Sequence, residues 1–200
     1  GQDVPIQKNS YISSFFQNNC KFDYFSSFDL GSAPPEWGDG MARVTKYHQT
    51  SSRGLSSKDK YLIYVKNIAI WFLNKTIKPR RDAEYKFKGG TNWMDLTGES
   101  LGEMLGYLKV NRRYIKRYKY THCADEIFFQ TLYSLVIKKD DRHKNRTLRY
   151  IDWRTGPEFP RSLTIEDMDM LRASDCLFAR KFDENKDQKV IDELYDYISE

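Results

Sequence analysis

Residues 124–132 read ADEIFFQTL and place two acidic side chains, Asp125 and Glu126, at the start of a stretch whose apolar residues recur at helical spacing. Acidic side chains in the first turn complement the helix dipole, which stabilises a helix by about 0.3–1 kcal/mol. The same placement suits a general base on a rigid element, because burial beside Phe128 and Phe129 would raise its pKa while the dipole would lower it. Both interpretations predict a helix that begins within this segment.

The rest of the chain alternates between short β-type segments and helix-periodic segments. Helices are predicted at residues 10–18, 56–75, 100–108, 124–136, 163–176 and 188–198, and strands at residues 22–25, 43–48, 85–87, 93–96 and 148–153. This alternation predicts an α/β or α+β fold. The predicted strands are fewer and shorter than those of a complete doubly wound domain.

The composition is that of one soluble globular domain. The chain has 200 residues, of which 40% are hydrophobic and 30% are charged, so residues 1–200 are predicted to form a single domain with a substantial core. No apolar run is long enough to span a bilayer. The 14 Tyr, 12 Phe and 4 Trp exceed what a core needs, which indicates a ligand surface built from rings, for which sugars and bases are the usual ligands.

The net charge indicates which ligands the protein can bind, and the cysteines indicate the compartment in which it works. A net charge of +5 fits an anionic ligand such as a nucleotide, and it also fits attraction to nucleic acid or anionic lipid. Cys20, Cys123 and Cys176 lie far apart in the sequence and match no zinc-binding spacing. Reduced thiols in a cytoplasmic protein are the simplest interpretation.

Residues 178–183 read FARKFD and place Arg180 and Lys181 between aromatic side chains. In most proteins such residues form a solvated charge pair at the end of a strand or helix. Two adjacent cations can also neutralise a pyrophosphate in place of a divalent metal ion. Arg154 and Arg161, which lie upstream in a loop with Gly and Pro, can join them.

The strongest charge run precedes the 124–132 segment. It consists of Lys109, Arg112, Arg113, Lys116, Arg117 and Lys119. Helical spacing places positions 109, 112, 113 and 116 on one predicted face. Such a run is usually a solvated surface, and with Tyr114 and Tyr118 interleaved it also fits a contact with nucleic acid or an anionic bilayer.

No metal site is expected from the sequence. Asp183 begins a segment like the start of an EF-hand loop, but Gln188 and Leu194 occupy the positions that need Gly and Glu. Asp167 and Asp169 have Asp-x-Asp spacing, yet they fall inside a helical pattern that points them to different sides. The three histidines show no metal-ligand spacing.

Five segments, read in order, resemble the Core-2/I-branching enzymes of glycosyltransferase family 14 and their bacterial and xylosyltransferase relatives. They are residues 1–6 (GQDVPI), 90–96 (GTNWMDL), 124–132 (ADEIFFQTL), 148–153 (LRYIDW) and 178–183 (FARKFD). Their order and spacing make the resemblance specific, and it extends over nearly the whole chain. The sequence resembles a bacterial-type member of this family.

The resemblance implies a GT-A-like α/β fold, of which this chain matches the middle and C-terminal portion. In the family, the segment that matches residues 1–6 follows an N-terminal stretch that carries most of the nucleotide-binding sheet. We therefore expect the sequence to be an N-terminally incomplete catalytic domain, its C-terminal two-thirds. This expectation accounts for the small number of predicted strands.

The resemblance also implies an activity, namely inverting transfer of N-acetylglucosamine or xylose from a UDP-sugar to an acceptor hydroxyl, without a metal ion or another cofactor. By position, Glu126 matches the catalytic base of the family and Asp125 is its neighbour. Lys181 matches the cation on the UDP diphosphate, with Arg180 beside it and Arg161 as its arginine partner.

The resemblance also implies which residues of this chain contact the acceptor. Trp153 matches the position at which the family stacks an acceptor sugar, and Trp93 is a second aromatic platform. Arg43 and Glu36, around a Trp-Gly-Asp-Gly loop, match acceptor-contact positions, and Asp125 belongs to the same group.

Two other functions stay open at this point. A non-catalytic carbohydrate-binding protein would use Trp153, Trp93 and Trp37 as sugar platforms and would lack a donor site. A basic module would bind a membrane or nucleic acid through residues 109–119, with steep salt dependence for nucleic acid. The expected partners are a UDP-sugar, a carbohydrate acceptor and an anionic membrane touched through Lys109–Lys119. No specific nucleic acid is expected, and the expected location is the cytoplasm.

Overall fold

The computed structural model describes residues 2–49, 56–77, 81–138, 141–155 and 159–199. Gly1, the first residue of the GQDVPI segment, lies outside the described residues. The chain divides into two compact units. Unit 1 comprises Gly1–Ser26, Trp93–Thr97 and Lys139–Glu200, and unit 2 comprises Ser27–Asn92 and Gly98–Lys138. The assignment of residues 1–200 to a single domain stays a prediction.

Helices and short strands alternate along the chain, as the sequence predicts. The helices are α1 (Asn9–Asn18), α2 (Ala42–Thr45), α3 (Ser57–Thr76), α4 (Gly98–Val110), α5 (Arg112–Arg117), α6 (Asp125–Val136), α7 (Met168–Arg172) and α8 (Gln188–Ser199). The strands are β1 (Asp3–Pro5), β2 (Asp23–Tyr24), β3 (Phe28–Asp29), β4 (Lys88–Gly89), β5 (His143–Lys144), β6 (Arg149–Ile151) and β7 (Phe178–Arg180). The mixed α/β class with few short strands is therefore confirmed.

Unit 1 is built around a three-stranded sheet in the order β1-β7-β6. Strand β1 runs antiparallel to β7, whereas β6 runs parallel to β7 with Ile151 opposite Arg180. One face of the sheet packs on α8, whose buried side chains Val190 and Leu194 recur at helical spacing. Because β6 and β7 are parallel neighbours, their carboxyl ends meet at one edge, which also receives the residues that follow each strand.

The core of unit 2 contains a cluster of six packed aromatic rings. Its members are Tyr85, Phe87, Tyr107, Tyr114, Tyr118 and Phe128, with neighbouring centroids 4.9–6.3 Å apart. Tyr114 is completely buried, and its hydroxyl donates a hydrogen bond of 2.6 Å to the Phe128 carbonyl oxygen. Burial raises the pKa of Tyr114, so the phenol stays neutral. Part of the aromatic surplus thus fills a core rather than a ligand surface.

Four predicted elements are wrong in type or extent. Residues 43–48 were expected to form a strand, but α2 occupies Ala42–Thr45, because the Asp39 carboxylate accepts a hydrogen bond of 3.1 Å from the Ala42 N–H and starts a helical turn. The strand expected at residues 85–87 lies at Lys88–Gly89, as β4, and the strand expected at residues 93–96 is reduced to an isolated bridge between Asp95 and Tyr24. The helix expected at residues 163–176 is limited to α7 and a preceding 3-10 turn, Ile165–Asp167.

The basic run does not form one helical face. α4 ends at Val110 and α5 begins at Arg112, with Asn111 between them in a non-helical conformation (φ −111°, ψ 58°). Lys109 therefore lies on a different helix from the cations that follow it. The expectation that positions 109, 112, 113 and 116 share one face is wrong, because the helical phase is interrupted at Asn111.

The longest helix, α3, begins with Ser56 accepting a hydrogen bond of 3.2 Å from the Asp59 N–H. Ile70 is its buried residue. Six apolar and aromatic side chains recur on one exposed face, which we call the outer face of α3: Tyr61, Tyr64, Val65, Ile68, Trp71 and Phe72. None of the described helices is both long and apolar enough to cross a bilayer.

Candidate active site

Glu126 and Arg43 form an ion pair in unit 2. Glu126 lies in the first turn of α6, and its Oε2 accepts a hydrogen bond of 2.9 Å from Arg43 Nη1, on α2. The two side chains are 35% and 17% exposed, respectively. Glu126 Oε1 has no hydrogen-bond partner within the described part of the chain. One carboxylate oxygen is therefore held in place while the other is available to a ligand.

Aromatic packing fixes the arginine of this pair. The Arg43 guanidinium carbon lies 4.0 Å from the centroid of the Trp37 ring, and that ring packs edge-on against Phe28 at 4.8 Å. The Arg43 carbonyl oxygen accepts a hydrogen bond of 3.2 Å from the His122 N–H. Glu36 precedes Trp37 in the exposed 3-10 turn Pro35–Trp37. Arg43 is thus held through both its side chain and its backbone.

The environment of Glu126 changes its affinity for protons. Burial raises the pKa of the Glu126 carboxyl, the hydrogen bond and charge of Arg43 lower it, and Asp125 raises it, so that the net shift is upward. A carboxylate with a raised pKa is a stronger base once it has lost its proton. The arrangement therefore suits a group that accepts a proton from a bound hydroxyl.

Two of the segments that resemble the family, residues 90–96 and 124–132, are hydrogen-bonded to each other at the start of α6. The Asn92 side chain donates a hydrogen bond of 3.1 Å to Asp125 Oδ2, and the Gly90 N–H donates one of 3.0 Å to the Glu126 carbonyl oxygen. Farther along α6, Gln130 Nε2 donates to the Thr91 carbonyl oxygen at 2.6 Å. Sequence reasoning missed the role of Asn92, because a contact between residues 33 positions apart leaves no local pattern.

Lys181 lies at the carboxyl edge of the unit 1 sheet, directly after β7. Its carbonyl oxygen accepts a hydrogen bond of 2.8 Å from the Leu163 N–H, and the peptide bond between Arg180 and Lys181 is cis. The side chain is half-buried. Its ammonium group has no ion-pair partner among the residues that the structure describes. Lys181 is therefore a cation that an anionic ligand can reach without displacing a carboxylate.

Arg180 has protein partners instead. Its Nη1 lies 2.5 Å from Asp3 Oδ1, and Asp3 also forms an ion pair of 3.0 Å with Arg149. The Arg180 guanidinium carbon lies 5.6 Å from the centroid of the Trp93 ring. Arg180 and the aromatic platform expected at Trp93 thus contact each other within unit 1. Their predicted ligand contacts stay predictions.

Arg161 is bound by two carboxylates. Its Nε donates a hydrogen bond of 2.7 Å to Asp152 Oδ2, and its two terminal nitrogens donate to Asp167 at 2.7 and 3.0 Å. Asp152 is buried, and hydrogen bonds from Arg154 and Arg161 lower its pKa well below the usual range. Asp167 also accepts a hydrogen bond of 2.8 Å from the Thr164 N–H. These partners hold Arg161 at the sheet edge, and its predicted contact with the diphosphate stays a prediction.

Trp153 follows β6 and therefore lies at the same edge of the unit 1 sheet as Lys181. Its side chain is 42% exposed, which leaves much of the indole available to a ligand. The loop between the two strands binds both strand ends, since the Arg161 N–H donates to the Asp152 carbonyl oxygen at 2.8 Å. Trp153 and Lys181 thus lie at the same edge of the unit 1 sheet.

The tyrosines of the basic run are core residues. Tyr114 and Tyr118 are buried in unit 2, and Arg117, which is 8% exposed, donates hydrogen bonds to the carbonyl oxygens of Val44 and Asp82 at 2.8 and 2.9 Å. The expectation that these tyrosines interleave with cations on a binding surface is wrong, because the apolar rings are drawn into the core. The exposed cations are Lys109, Arg112, Arg113, Lys116 and Lys119.

The predicted site residues divide between the two units. Unit 2 holds Glu36, Arg43, Asp125 and Glu126, and unit 1 holds Trp93, Trp153, Arg161, Arg180 and Lys181. The joint action of Glu126 and Lys181 stays a prediction. Within the residues that the structure describes, no group of three or more His, Cys, Asp or Glu side chains is placed to hold a metal ion.

The chain matches a protein-family model. The family model described as Core-2/I-Branching enzyme matches residues 1–172 of the chain. Comparison with the curated proteins gave no match. The matched range includes Arg43, Glu126 and Trp153 and ends before β7, which is followed by Lys181. The assignment of Lys181 therefore depends on its sequence context and its geometry.

Proposed function

Because the chain belongs to the Core-2/I-branching enzyme family, which is a family of glycosyltransferases, we propose that it transfers a sugar from a UDP-sugar to a hydroxyl group of a carbohydrate acceptor. The transferred sugar is of the N-acetylglucosamine or xylose type, and the configuration at its anomeric carbon is inverted. The observation that carries the proposal is the Glu126 carboxylate, which Arg43 holds through one oxygen while the other oxygen is available.

Glu126 is proposed as the general base. In an inverting transfer, the acceptor oxygen forms a bond to the anomeric carbon while the bond from that carbon to the UDP oxygen breaks, through an oxocarbenium-like transition state. The proton of the acceptor hydroxyl goes to Glu126, and UDP leaves with the bonding electron pair. Removal of that proton in the transition state contributes roughly 10²–10⁴-fold to the rate.

Arg43 is proposed as a positioning residue. Its hydrogen bond to Oε2 orients the carboxylate, and its charge opposes the rise in pKa that burial imposes on Glu126. The ion pair therefore limits the rise in the pKa of Glu126 and fixes the direction of its carboxylate.

Substituting Arg43 by glutamine should move the acidic limb of the pH profile to higher pH. The reaction requires deprotonated Glu126, and loss of the neighbouring cation raises the pKa of its carboxyl further. Activity near neutral pH should therefore fall, and it should recover as the pH rises. The measurement is kcat/KM against pH, with Arg43→Lys as the conservative control. An acidic limb that stays in place or moves to lower pH would contradict the positioning role.

Lys181 is proposed to bind the diphosphate of the donor. The leaving group gains negative charge in the transition state, and a cation at that point stabilises it. At the carboxyl edge of unit 1, Arg161 is already bound by Asp152 and Asp167, and Arg180 by Asp3. Lys181 therefore supplies the larger share of the neutralising charge. We propose that the reaction needs no metal ion, since Asp167, half of the Asp-x-Asp pair, is bound by Arg161.

Trp153 is proposed to stack on the acceptor sugar. Trp153→Ala should raise the acceptor KM by about tenfold, because it removes the ring surface on which a sugar packs. The value of kcat and the KM for the donor should change little. Trp153→Phe keeps a ring and should restore most of the affinity. An unchanged acceptor KM in Trp153→Ala would remove this residue from the acceptor site.

We also propose peripheral contact between unit 2 and an anionic membrane. Unit 2 carries 19 Lys and Arg residues against 10 Asp and Glu residues, a net charge of +9, whereas unit 1 carries 14 against 18, a net charge of −4. Each cation near an anionic bilayer contributes about 1 kcal/mol. The exposed cations Lys109, Arg112, Lys116 and Lys119 belong to this unit. The charge of the chain is thus concentrated in the unit that also exposes the outer face of α3.

The outer face of α3 supports a lipid surface as the partner. Tyr prefers the membrane interface, and this face presents Tyr61 and Tyr64 together with the aliphatic side chains of Val65 and Ile68. Exposed Lys58, Lys60 and Lys75 belong to the same helix. Lysine is depleted in interfaces between proteins, so the composition favours lipid over a second protein.

Co-sedimentation with vesicles tests this contact. The protein should pellet with phosphatidylglycerol vesicles, should not pellet with phosphatidylcholine vesicles, and should be released by salt. Ile68→Asp, in the outer face of α3, should abolish pelleting, whereas Tyr195→Asp, at an exposed position of unit 1, should leave it intact. Concentration-dependent dimers without lipid that Ile68→Asp removes would instead identify the face as a protein interface.

A further inference from the structure

Unit 2 contains an open pocket of about 580 Å³, a volume within the range of small-molecule sites. Its lining includes the aromatic rings of Tyr47 and Trp71, the imidazoles of His48 and His122, and the amides of Gln49 and Asn74. None of the described residues that line it is Lys, Arg, Asp or Glu. As far as the described residues show, the lining is therefore polar and aromatic and includes no charged side chain.

The absence of charge from this lining narrows the class of ligand. Unit 2 has a net charge of +9, so an uncharged lining is a local exception within a cationic unit. A nucleotide or another phosphate ligand would need cations in the pocket wall. Burial lowers the pKa of His122, and the charges of His48 and Arg43 lower it further, so this imidazole stays neutral near neutral pH. The lining fits a neutral polar ligand.

The polar groups of the lining can both donate and accept hydrogen bonds, as hydroxyl groups require. Asn74 Nδ2 donates to the Tyr47 carbonyl oxygen at 2.7 Å, which leaves the Asn74 amide oxygen as an acceptor. His48 Nε2 lies 2.9 Å from the Ala42 carbonyl oxygen, so Nε2 carries the hydrogen of this hydrogen bond. A ligand with several hydroxyl groups can therefore satisfy both kinds of group.

The aromatic part of the lining offers a surface for stacking. Trp71 is 53% exposed, with the Lys75 ammonium 4.9 Å from its ring centroid on one side. A flat indole with a polar surround matches a sugar ring, which has an apolar C–H face and a polar edge. Tyr47 is fixed by Tyr120, whose ring centroid is 5.7 Å away, and by the Arg81 guanidinium at 5.4 Å.

The pocket is connected to the Arg43–Glu126 pair through the backbone. The His122 N–H donates to the Arg43 carbonyl oxygen at 3.2 Å, and Glu126 lies four residues after His122. We propose that the pocket is a saccharide-binding subsite that holds a neutral sugar ring of the acceptor against Trp71. Its assignment to the acceptor rests on the proposed function, whereas the binding of a neutral sugar does not.

NMR titration of the indole N–H signals tests the subsite. The chain has four Trp residues, and the Trp71→Phe variant identifies the Trp71 signal. Chitotriose, xylotriose and cellotriose serve as neutral probes, and trigalacturonate serves as an anionic control. At least one neutral trisaccharide should shift the Trp71 signal, and trigalacturonate should not. If no neutral probe shifts it, or if trigalacturonate binds equally well, the proposal is overturned.

A matched pair of variants separates the pocket from the rest of α3. Trp71→Ala should weaken binding of the neutral probe by about tenfold or more, because it removes the stacking surface. Phe72→Ala removes a neighbouring ring of similar exposure that does not line the pocket, and it should leave the affinity unchanged. Equal affinities in wild type and Trp71→Ala would overturn the proposal.

The variants Glu126→Gln and Trp71→Ala test the proposed function and the proposed subsite separately. Glu126→Gln should bind the neutral trisaccharide as tightly as wild type does, because the pocket lining is unchanged. If Glu126→Gln keeps full transferase activity while Trp71→Ala loses sugar binding, the proposed base fails and the subsite stands. If Glu126→Gln loses turnover while Trp71→Ala binds the sugar normally, the subsite fails and the base stands.

Discussion

Substituting Glu126 by glutamine is expected to lower transferase turnover at least roughly a hundredfold while UDP-sugar binding stays intact. Glutamine has nearly the same shape but cannot take a proton from the acceptor hydroxyl. The affinity for the donor should persist, because the proposed diphosphate ligand, Lys181, is unchanged. The measurements are kcat in a transfer assay and the dissociation constant of UDP by calorimetry.

Asp82→Asn is the control for this prediction. Asp82 is an exposed carboxylate of unit 2 that lies outside the proposed site. Its neutralisation should change turnover by less than about fivefold, since it is neither the proposed base nor a proposed acceptor contact. Normal turnover in Glu126→Gln would remove the base assignment. If the wild-type protein binds a sugar but shows neither UDP binding nor turnover, the non-catalytic carbohydrate-binding interpretation is favoured.

Substituting Lys181 by alanine is expected to weaken UDP binding by about tenfold to a hundredfold and to lower kcat. A hydrogen bond to a charged group contributes about 1.5–3 kcal/mol, and the neighbouring cations Arg161 and Arg180 are already bound by carboxylates. Uridine has no phosphate, so its affinity should not change. Calorimetric titration with UDP and with uridine measures both effects.

Two controls accompany the Lys181 prediction. Lys189→Ala removes an exposed lysine from α8 in the same unit and should leave UDP binding unchanged. Activity of the wild-type protein should persist in EDTA, because the proposed neutralising charge comes from a side chain. Equal loss of affinity for UDP and uridine, or activity that EDTA abolishes and a divalent ion restores, would contradict this role of Lys181.

The helix that carries the proposed base could be predicted from local sequence. Phe128, Leu132 and Leu135 recur at helical spacing, Leu132 is buried, and the acidic residues stand in the first turn. Helical period and helix-terminal charge are local properties, and the structure confirms a helix at Asp125–Val136. The family match to residues 1–172 covers the same segment.

The partner of the proposed base could not be predicted in the same way. Arg43 is 83 positions from Glu126, and the β-branched residues beside it, Val44 and Thr45, favoured a strand. The Asp39 side chain, which starts the helical turn, was an available signal, because Asp is a common helix cap. The ion pair itself depends on tertiary packing around Trp37, and no spacing rule encodes it.

Charge counts from the sequence do not show which cations already have partners in the fold. Arg161 and Arg180 appear in the sequence as cations near Lys181, but Asp152 and Asp3 bind them in the folded chain. Arg117 appears as part of a basic surface, but it is buried and bound to backbone carbonyl groups. A sequence shows how many charges a segment has, whereas the fold determines which of them already have partners.

The most direct test of the central claim, that Glu126 acts as a general base, uses azide as the nucleophile. Azide has no proton to lose, so a transfer to azide does not need the base. With UDP-N-acetylglucosamine or UDP-xylose as donor, added azide should restore turnover in Glu126→Gln, measured as the glycosyl azide, and should not restore it in Lys181→Ala. Failure of azide to restore Glu126→Gln, or equal recovery of both variants, would contradict the account.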